Sequence, residues 1–409
     1  MSEAASNSIS STRSAPARAW SIISWSAFLA CSWTWCIGMW LPVILLRDFG
    51  IWSFAAFASP NVVGAAAMGV VLRKSGLSEW IASEHEFAAR AFSVVTIAFQ
   101  LFFFLWITGA SHDFAASWKW LATTAVFVVG GAVIGFGHRW IRHVAVAVWL
   151  VSLVLLLVFA LPRESQTAKI PVSELSANEL LWLAPVLVLG FLLCPYLDLT
   201  FHRARRALPG PAGSLAFAIG FGLLFLTMII GTLGYGLALL ADSTVLRPSH
   251  LPAFVAVHIV LQLAFTIVAH TLGDGKASEQ VGSLNTVLDT RRLPRNRMLM
   301  LGFVLGLCMV ATSFSTMFLY AGLTATEIIY RGFMSFYGLI FPAYVWICML
   351  PLGTTRTSRR VWTFAGAVVL ASPFYWMGFI ERETIWLVPG VAIVLFAKLI
   401  AGGAPRRSA

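Results

Sequence analysis

The sequence predicts an all-α polytopic membrane protein with about twelve transmembrane helices, and three observations carry that prediction. Of its 409 residues, 59% are hydrophobic and only 11% charged, whereas a soluble domain has roughly 45–50% and about 25%. Apolar runs of bilayer-spanning length, about 20 residues, succeed one another with short charged loops between them. The cations then fall in alternate loops, as the positive-inside bias of membrane proteins requires.

In chain order, residues 1–19 are rich in Ser and Ala and read as a cytoplasmic tail. Candidate helices follow at approximately 21–46, 50–72, 89–110, 118–137, 142–162, 180–201, 213–241, 252–272, 298–321, 326–350, 361–379 and 384–402. They group as helices one to five within 20–162, an outside loop at 163–179, helices six to ten within 180–350, the last two within 351–402, and a cytoplasmic tail at 403–409. The first run exceeds the apolar core of a cleavable signal and continues through Trp33, Trp35 and Trp40, so it reads as a retained helix.

With the N-terminus in the cytoplasm, 21 of the 28 Lys and Arg residues fall in inside segments. The outside set is Arg47, Lys119, Arg163, Lys169, Arg247, Arg331 and Arg382. Both termini are therefore expected in the cytoplasm, and orientation accounts for the net charge of +11 without a nucleic-acid partner. No organelle-targeting prefix is evident, so a prokaryotic inner (plasma) membrane is the expected location. The five cysteines lie in apolar runs without a paired CxxC motif, which gives neither a disulfide framework nor a metal site.

Two spans carry Gly and Pro in mid-run: Gly38, Trp40 and Pro42 in the first, and Gly190, Cys194, Pro195 and Tyr196 in the sixth. Both residue types weaken a helix, and in lipid the freed backbone groups need a protein cavity or a ligand. The prolines Pro42 and Pro195 stand 153 positions apart. Corresponding broken helices in two halves point to a transporter site; ordinary proline kinks are the plain alternative. Ser59-Pro60-Asn61 and Gly64 mark a bend in helix two beside the first break.

This pattern resembles the leucine-transporter fold of the amino acid, polyamine and organocation superfamily. The resemblance implies two inverted five-helix repeats with discontinuous first helices, followed by two C-terminal helices. Pro195-Tyr-Leu-Asp198-Leu-Thr200-Phe-His202-Arg203 resembles the end of helix six in nucleobase–cation symporters, with Phe201 where that pattern has Arg. In the resembled fold, helices one, three, six and eight surround the substrate. The twelve-helix major facilitator superfamily is the other transporter reading: Gly69-Val-Val-Leu-Arg73-Lys74-Ser-Gly76 partly resembles its loop motif, with Arg73 in place of the motif's Asp.

Polar residues inside apolar runs need partners, because a carboxylate at a helix centre costs about 2.5–3.5 kcal/mol. Asp198 reads either as a helix-end carboxylate paired with Arg203 or as a proton or cation relay. Arg47 and Glu327 lie nearer a surface and are expected to snorkel. In helix eight, His258, Gln262, Thr266 and His270 recur every fourth residue and occupy a stripe of about 120° that lipid would not solvate. Helix three repeats the pattern with Ser93, Thr96 and Gln100. The tryptophans near the first break read as packing residues or as faces for an organic cation or flat ring.

The expected substrate-binding set is thus Gly38, Trp40, Pro42, Gln100, Gly190, Cys194, Pro195, Tyr196 and Gln262. The expected ion- or proton-coupling set is Asp198, His258, Thr266 and His270. The resembled superfamily's sodium site implies coordination by carbonyls around Gly38 and by the Thr266 hydroxyl; a proton on Asp198 or a helix-eight histidine is the equal candidate. The expected function is cation- or proton-coupled symport of a small organic solute by alternating access, with no catalytic residues and no cofactor beyond a bound Na+ or proton. The partners are that solute and the bilayer, with homo-oligomerisation open. The alternatives are a membrane-embedded enzyme using His270 and Asp274, and a sensor on a transporter-like scaffold.

Overall fold

The computed structural model describes residues 15–109, 117–161, 173–242, 251–272, 319–352 and 357–402. Among these, nine helices are long and apolar enough to cross a membrane, ten when the bent pair Ala15–Trp33 and Cys36–Phe49 counts as one span. The chain is an all-α polytopic membrane protein. Where the fourth span is predicted there is an apolar helix, Ser117–Phe136, and most of the predicted ninth, 298–318, lies outside the described residues.

The first half comprises α1 (Ala15–Trp33), α2 (Cys36–Phe49), α3 (Trp52–Val71), α4 (Leu77–Glu84), α5 (Glu86–Gly109), α6 (Ser117–Phe136) and α7 (Ile141–Ala160). There follow α8 (Ala177–Leu193), α9 (Leu199–Ala207), α10 (Pro211–Ile219), α11 (Leu226–Asp242) and α12 (Ala253–Leu272). The last described part holds a hairpin of β1 (Leu319–Tyr320) and β2 (Leu323–Thr324), then α13 (Ala325–Ser335), α14 (Phe341–Tyr344), α15 (Ser358–Phe379) and α16 (Leu387–Ala401). The hairpin replaces the expected end of helix nine: Ala321 and Gly322 turn at positive φ, and the Thr324 side chain accepts from Glu327 N to start α13. Helix α1 begins at Ala15, within the stretch assigned to the N-terminal tail.

The bent pair is the core of the bundle. From Ser24 to Phe49 every residue but Leu41 is buried, because α1 packs on α7, α10 and α12 while α2 packs on α11 and α3. Peripheral helices instead present apolar side chains outward, such as Val154 and Leu157 on α7 and Val369 and Leu370 on α15, which suits a hydrocarbon surrounding. Span two meets span six backbone to backbone: a Cβ on Gly64 would stand 2.2 Å from the Phe191 carbonyl oxygen. A Cβ on Gly190 would stand 2.8 Å from the Tyr337 carbonyl oxygen. Glycine at these two positions therefore lets α8 lie between α3 and the span Ala325–Met349.

The first break falls earlier than the Gly38–Pro42 stretch from which it is expected. Helix α1 stops at Trp33 and α2 restarts at Cys36 with a 55° bend, so Gly38 and Pro42 are inside α2. Pro42 stands seventh of the fourteen residues of α2, so it forgoes an interior helical bond without ending the helix. The second break matches its sequence signal: α8 ends at Leu193, a 3-10 turn runs Cys194–Leu197, and α9 starts at Leu199.

Candidate functional site

Both breaks border one cleft. Trp33, Trp35 and Gly38 contribute from the first and Gly190 and Cys194 from the second. The cleft runs along Leu41, Ile44 and Phe49 of α2 and Leu183, Val186 and Leu187 of α8, and is walled by Asn61, Tyr337 and Phe379. It reaches Arg331 and Thr384 and contains about 900 Å³ of empty space, mouth included. Its walls are almost wholly apolar or aromatic, and Asn61 Oδ1 is already occupied by a 2.7 Å bond from Trp33 Nε1.

At the first break, the new helix terminus is satisfied from elsewhere. The Cys36 N–H donates to Gln100 Oε1 of α5 at 3.2 Å, while the Tyr330 hydroxyl donates to the Cys36 carbonyl at 3.0 Å. The Tyr235 hydroxyl likewise donates to the Met39 carbonyl. At the second break the chain caps itself. Asp198 is the N-cap of α9, its Oδ1 accepting from Thr200 N and from the Thr200 hydroxyl, each at 2.7 Å. The expected partnership of Asp198 with Arg203 is replaced by this cap; the Arg203 guanidinium carbon lies 5.8 Å from the centre of the Phe28 ring.

The polar stripes of helices three and eight meet at these breaks. Ser93 Oγ lies 3.3 Å from His270 Nδ1, the Thr96 and Tyr337 hydroxyls are 3.0 Å apart, and the Thr266 hydroxyl donates to the Cys31 carbonyl at 3.3 Å. Gln262 Nε2 donates to Ser152 Oγ at 2.8 Å. His258 is fully buried, and neither ring nitrogen has a hydrogen-bond partner among the described residues. Asp198 Oδ2 and His270 Nε2 also lack hydrogen-bond partners among them and lie 3.9 Å apart.

A charged network borders the far end of the cleft. Arg47 makes a forked pair with Glu327 at 3.0 and 2.6 Å and bonds Asp48 at 2.9 Å. Arg331 bridges Asp48 at 2.5 Å and Glu327 at 2.9 Å, and Arg382 holds Glu174 at 2.6 Å. Arg47 and Glu327 do not snorkel as expected; they are 5% and 4% exposed. Their opposite charges meet inside the protein, so neither side chain has to seek water. Adjacent Arg47-Asp48 and the i,i+4 spacing of Glu327 and Arg331 are the sequence traces of this network.

Of the expected substrate residues, Gly38, Gly190 and Cys194 line the cleft. Trp40 is instead packed against Phe103 and Trp106, Pro42 is buried within α2, and Gln100 serves the Cys36 amide. Pro195 is buried in the 3-10 turn, the Tyr196 carbonyl faces His202 Nε2 at 3.0 Å, and Gln262 serves Ser152. Sequence reasoning passed over Asn61, Tyr337 and the apolar face of α8 as cleft residues, although Asn61 stood in the noted bend of helix two. Comparisons with protein-family models, curated proteins and solved structures return no match.

Proposed function

We propose that this chain is a secondary transporter that moves a small organic solute across the membrane by alternating access. One observation carries the reading: two helices interrupted within the bundle, 153 positions apart at their prolines, border the same cleft. Broken helices are costly in lipid unless they surround a site, and their pairing in two halves is the hallmark of transporter binding sites. In this reading the chain has twelve spans, arranged as two inverted five-helix repeats and two further helices. Its termini face the cytoplasm of a prokaryotic cell, and the end bearing Arg47, Glu327 and Arg331 faces outward. The aromatic and apolar walls favour solutes with a substantial apolar part.

The test is thermal unfolding of the purified protein across amino acids, nucleobases and quaternary amines in sodium, potassium and acidic buffers, because a ligand of the folded state raises its stability by mass action. One solute class should stabilise the wild type but not Leu187→Trp, which fills the cleft, and should accumulate in proteoliposomes. Neither stabilisation nor accumulation with any class would reject the reading.

A further inference from the structure

The buried pair at the second break supports a more specific chemistry. Asp198 and His270 are 0% and 3% exposed and come from α9's cap and the end of α12. Hydrogen-bond logic assigns their tautomers. The Ser93 hydroxyl donates to the Ala89 carbonyl at 3.3 Å, so its oxygen is left to accept from His270 Nδ1. That places the ring hydrogen of neutral His270 on Nδ1 and a lone pair on Nε2. On the carboxylate, Oδ1 accepts both Thr200 hydrogens, which leaves Oδ2 as the oxygen that can carry a proton.

Thus the two atoms left without partners, Oδ2 and Nε2, face each other across 3.9 Å as two acceptors. With no proton, a carboxylate and a lone pair are held together out of water, which is unfavourable for both. One proton satisfies both atoms in the uncharged O–H···N form that burial favours, after side-chain movement of about 1 Å to hydrogen-bond distance. An alkali cation would need several oxygens, whereas only one oxygen and one imidazole nitrogen face each other here. Thr266, the other coupling candidate on this helix, uses its hydroxyl hydrogen on the Cys31 carbonyl.

Among the described residues, few other charges reach the pair. The neighbouring Cys194 and Tyr337 have partners of their own, the Cys194 thiol donating to the Tyr337 carbonyl at 3.3 Å and the Tyr337 hydroxyl lying 3.0 Å from that of Thr96. Helix α1 presents the Ser32 hydroxyl, α5 presents Ser93 and Thr96, and α10 contains no ionisable residue. Just after α4, which packs against α9, the C-cap His85 turns to the Tyr344 hydroxyl; on α9 itself, His202 faces the Tyr196 carbonyl and Arg203 lies over Phe28. Between the pair and the cleft stands Trp35, whose ring lies 5.5 Å from that of His270 and also lines the cleft.

We propose that Asp198 Oδ2 and His270 Nε2 form a one-proton site, loaded and emptied as the Trp35 wall between it and the cleft moves. No bond other than O–H or N–H forms or breaks. That this proton is the coupling ion rests on the transport reading; that the site binds a proton does not. The experiment is infrared spectroscopy of the detergent-solubilised protein in H2O and D2O at acidic and alkaline pH. Wild type should show the C=O stretch of a buried carboxylic acid that is lost on alkalinisation. The band should be absent in Asp198→Asn, which keeps the cap acceptor, and its frequency and titration should shift in His270→Gln.

In parallel, proteoliposomes containing a trapped pH-sensitive dye are challenged with the same amino acids, nucleobases and quaternary amines. Solute-dependent proton movement in wild type, lost in Asp198→Asn, is the expected result. An Asp198-dependent band without proton movement upholds the proton site and counts against the transport reading. A folded wild type whose carboxylic acid bands are unaffected by Asp198→Asn overturns the proposal.

Discussion

The two broken spans solve the same problem with different partners. In the first, the restarted helix α2 is held from a distance: Gln100, 64 residues on, caps its start, and Glu327, 280 residues on, grips its Arg47. In the second, α9 is capped by Asp198 two residues from Thr200, and its Arg205 bonds the Gly210 carbonyl five residues on at 2.9 Å. Among the described residues Arg205 bonds carbonyls, including Leu72 at 3.1 Å, whereas Arg47 sits among carboxylates. The first break is thus a product of assembly, and the second is largely encoded in its own turn. A self-capped break also leaves one carboxylate oxygen uncommitted, and that oxygen faces the unpartnered His270 Nε2.

Several substitutions would sharpen or undo that contrast. The largest effect is expected from Arg47→Met, which leaves the two buried carboxylates of Asp48 and Glu327 sharing Arg331 and should cost about 3–5 kcal/mol in denaturant unfolding. The double change Arg47→Met, Glu327→Met should recover much of that loss; no recovery would mean the network does not act as a unit. Gly64→Ala, which drives a methyl into the Phe191 carbonyl, should cost about 1–3 kcal/mol by thermal unfolding. Gln100→Leu leaves the buried Cys36 N–H without its acceptor and should cost about 1–3 kcal/mol on the same measurement.

At the second break, Asp198→Ala should cost roughly 0.5–2 kcal/mol, and Asp198→Asn much less, because asparagine is an equally good N-cap. Equal losses for Ala and Asn would contradict a local cap and make the carboxylate charge the stabilising element. The smallest effect belongs to Glu174→Ala: its side chain is 32% exposed, and its pair with Arg382 should be worth less than about 1 kcal/mol in a double-mutant cycle.

Legibility in the sequence followed the range of the interactions. The Gly190–Asp198 stretch announced its break because Pro195 and the Asp198–Thr200 cap are neighbours in the chain. The first break was announced by Gly38 and Pro42 yet fell at Thr34–Trp35, since distant donors and acceptors, not the proline alone, decided where the helix could stop. The stripe of His258, Gln262, Thr266 and His270 was visible as periodicity, and all four residues are buried. Periodicity could not say that Gln262 would turn to Ser152 while His270 turned to Ser93 and Asp198.

By itself, the sequence determined that this is a helical membrane protein, because span length and apolar composition are set by bilayer thickness and by the cost of bare backbone in hydrocarbon. It also marked which spans carry breaks and polar stripes, since proline chemistry and the 3.6-residue period act locally. Tertiary structure alone decided that Arg47 pairs with Glu327, that Gln100 caps α2, and that Asp198 Oδ2 faces His270 Nε2. Those pairings depend on which helices become neighbours, and that is settled by close packing of the whole bundle rather than by any one segment of it.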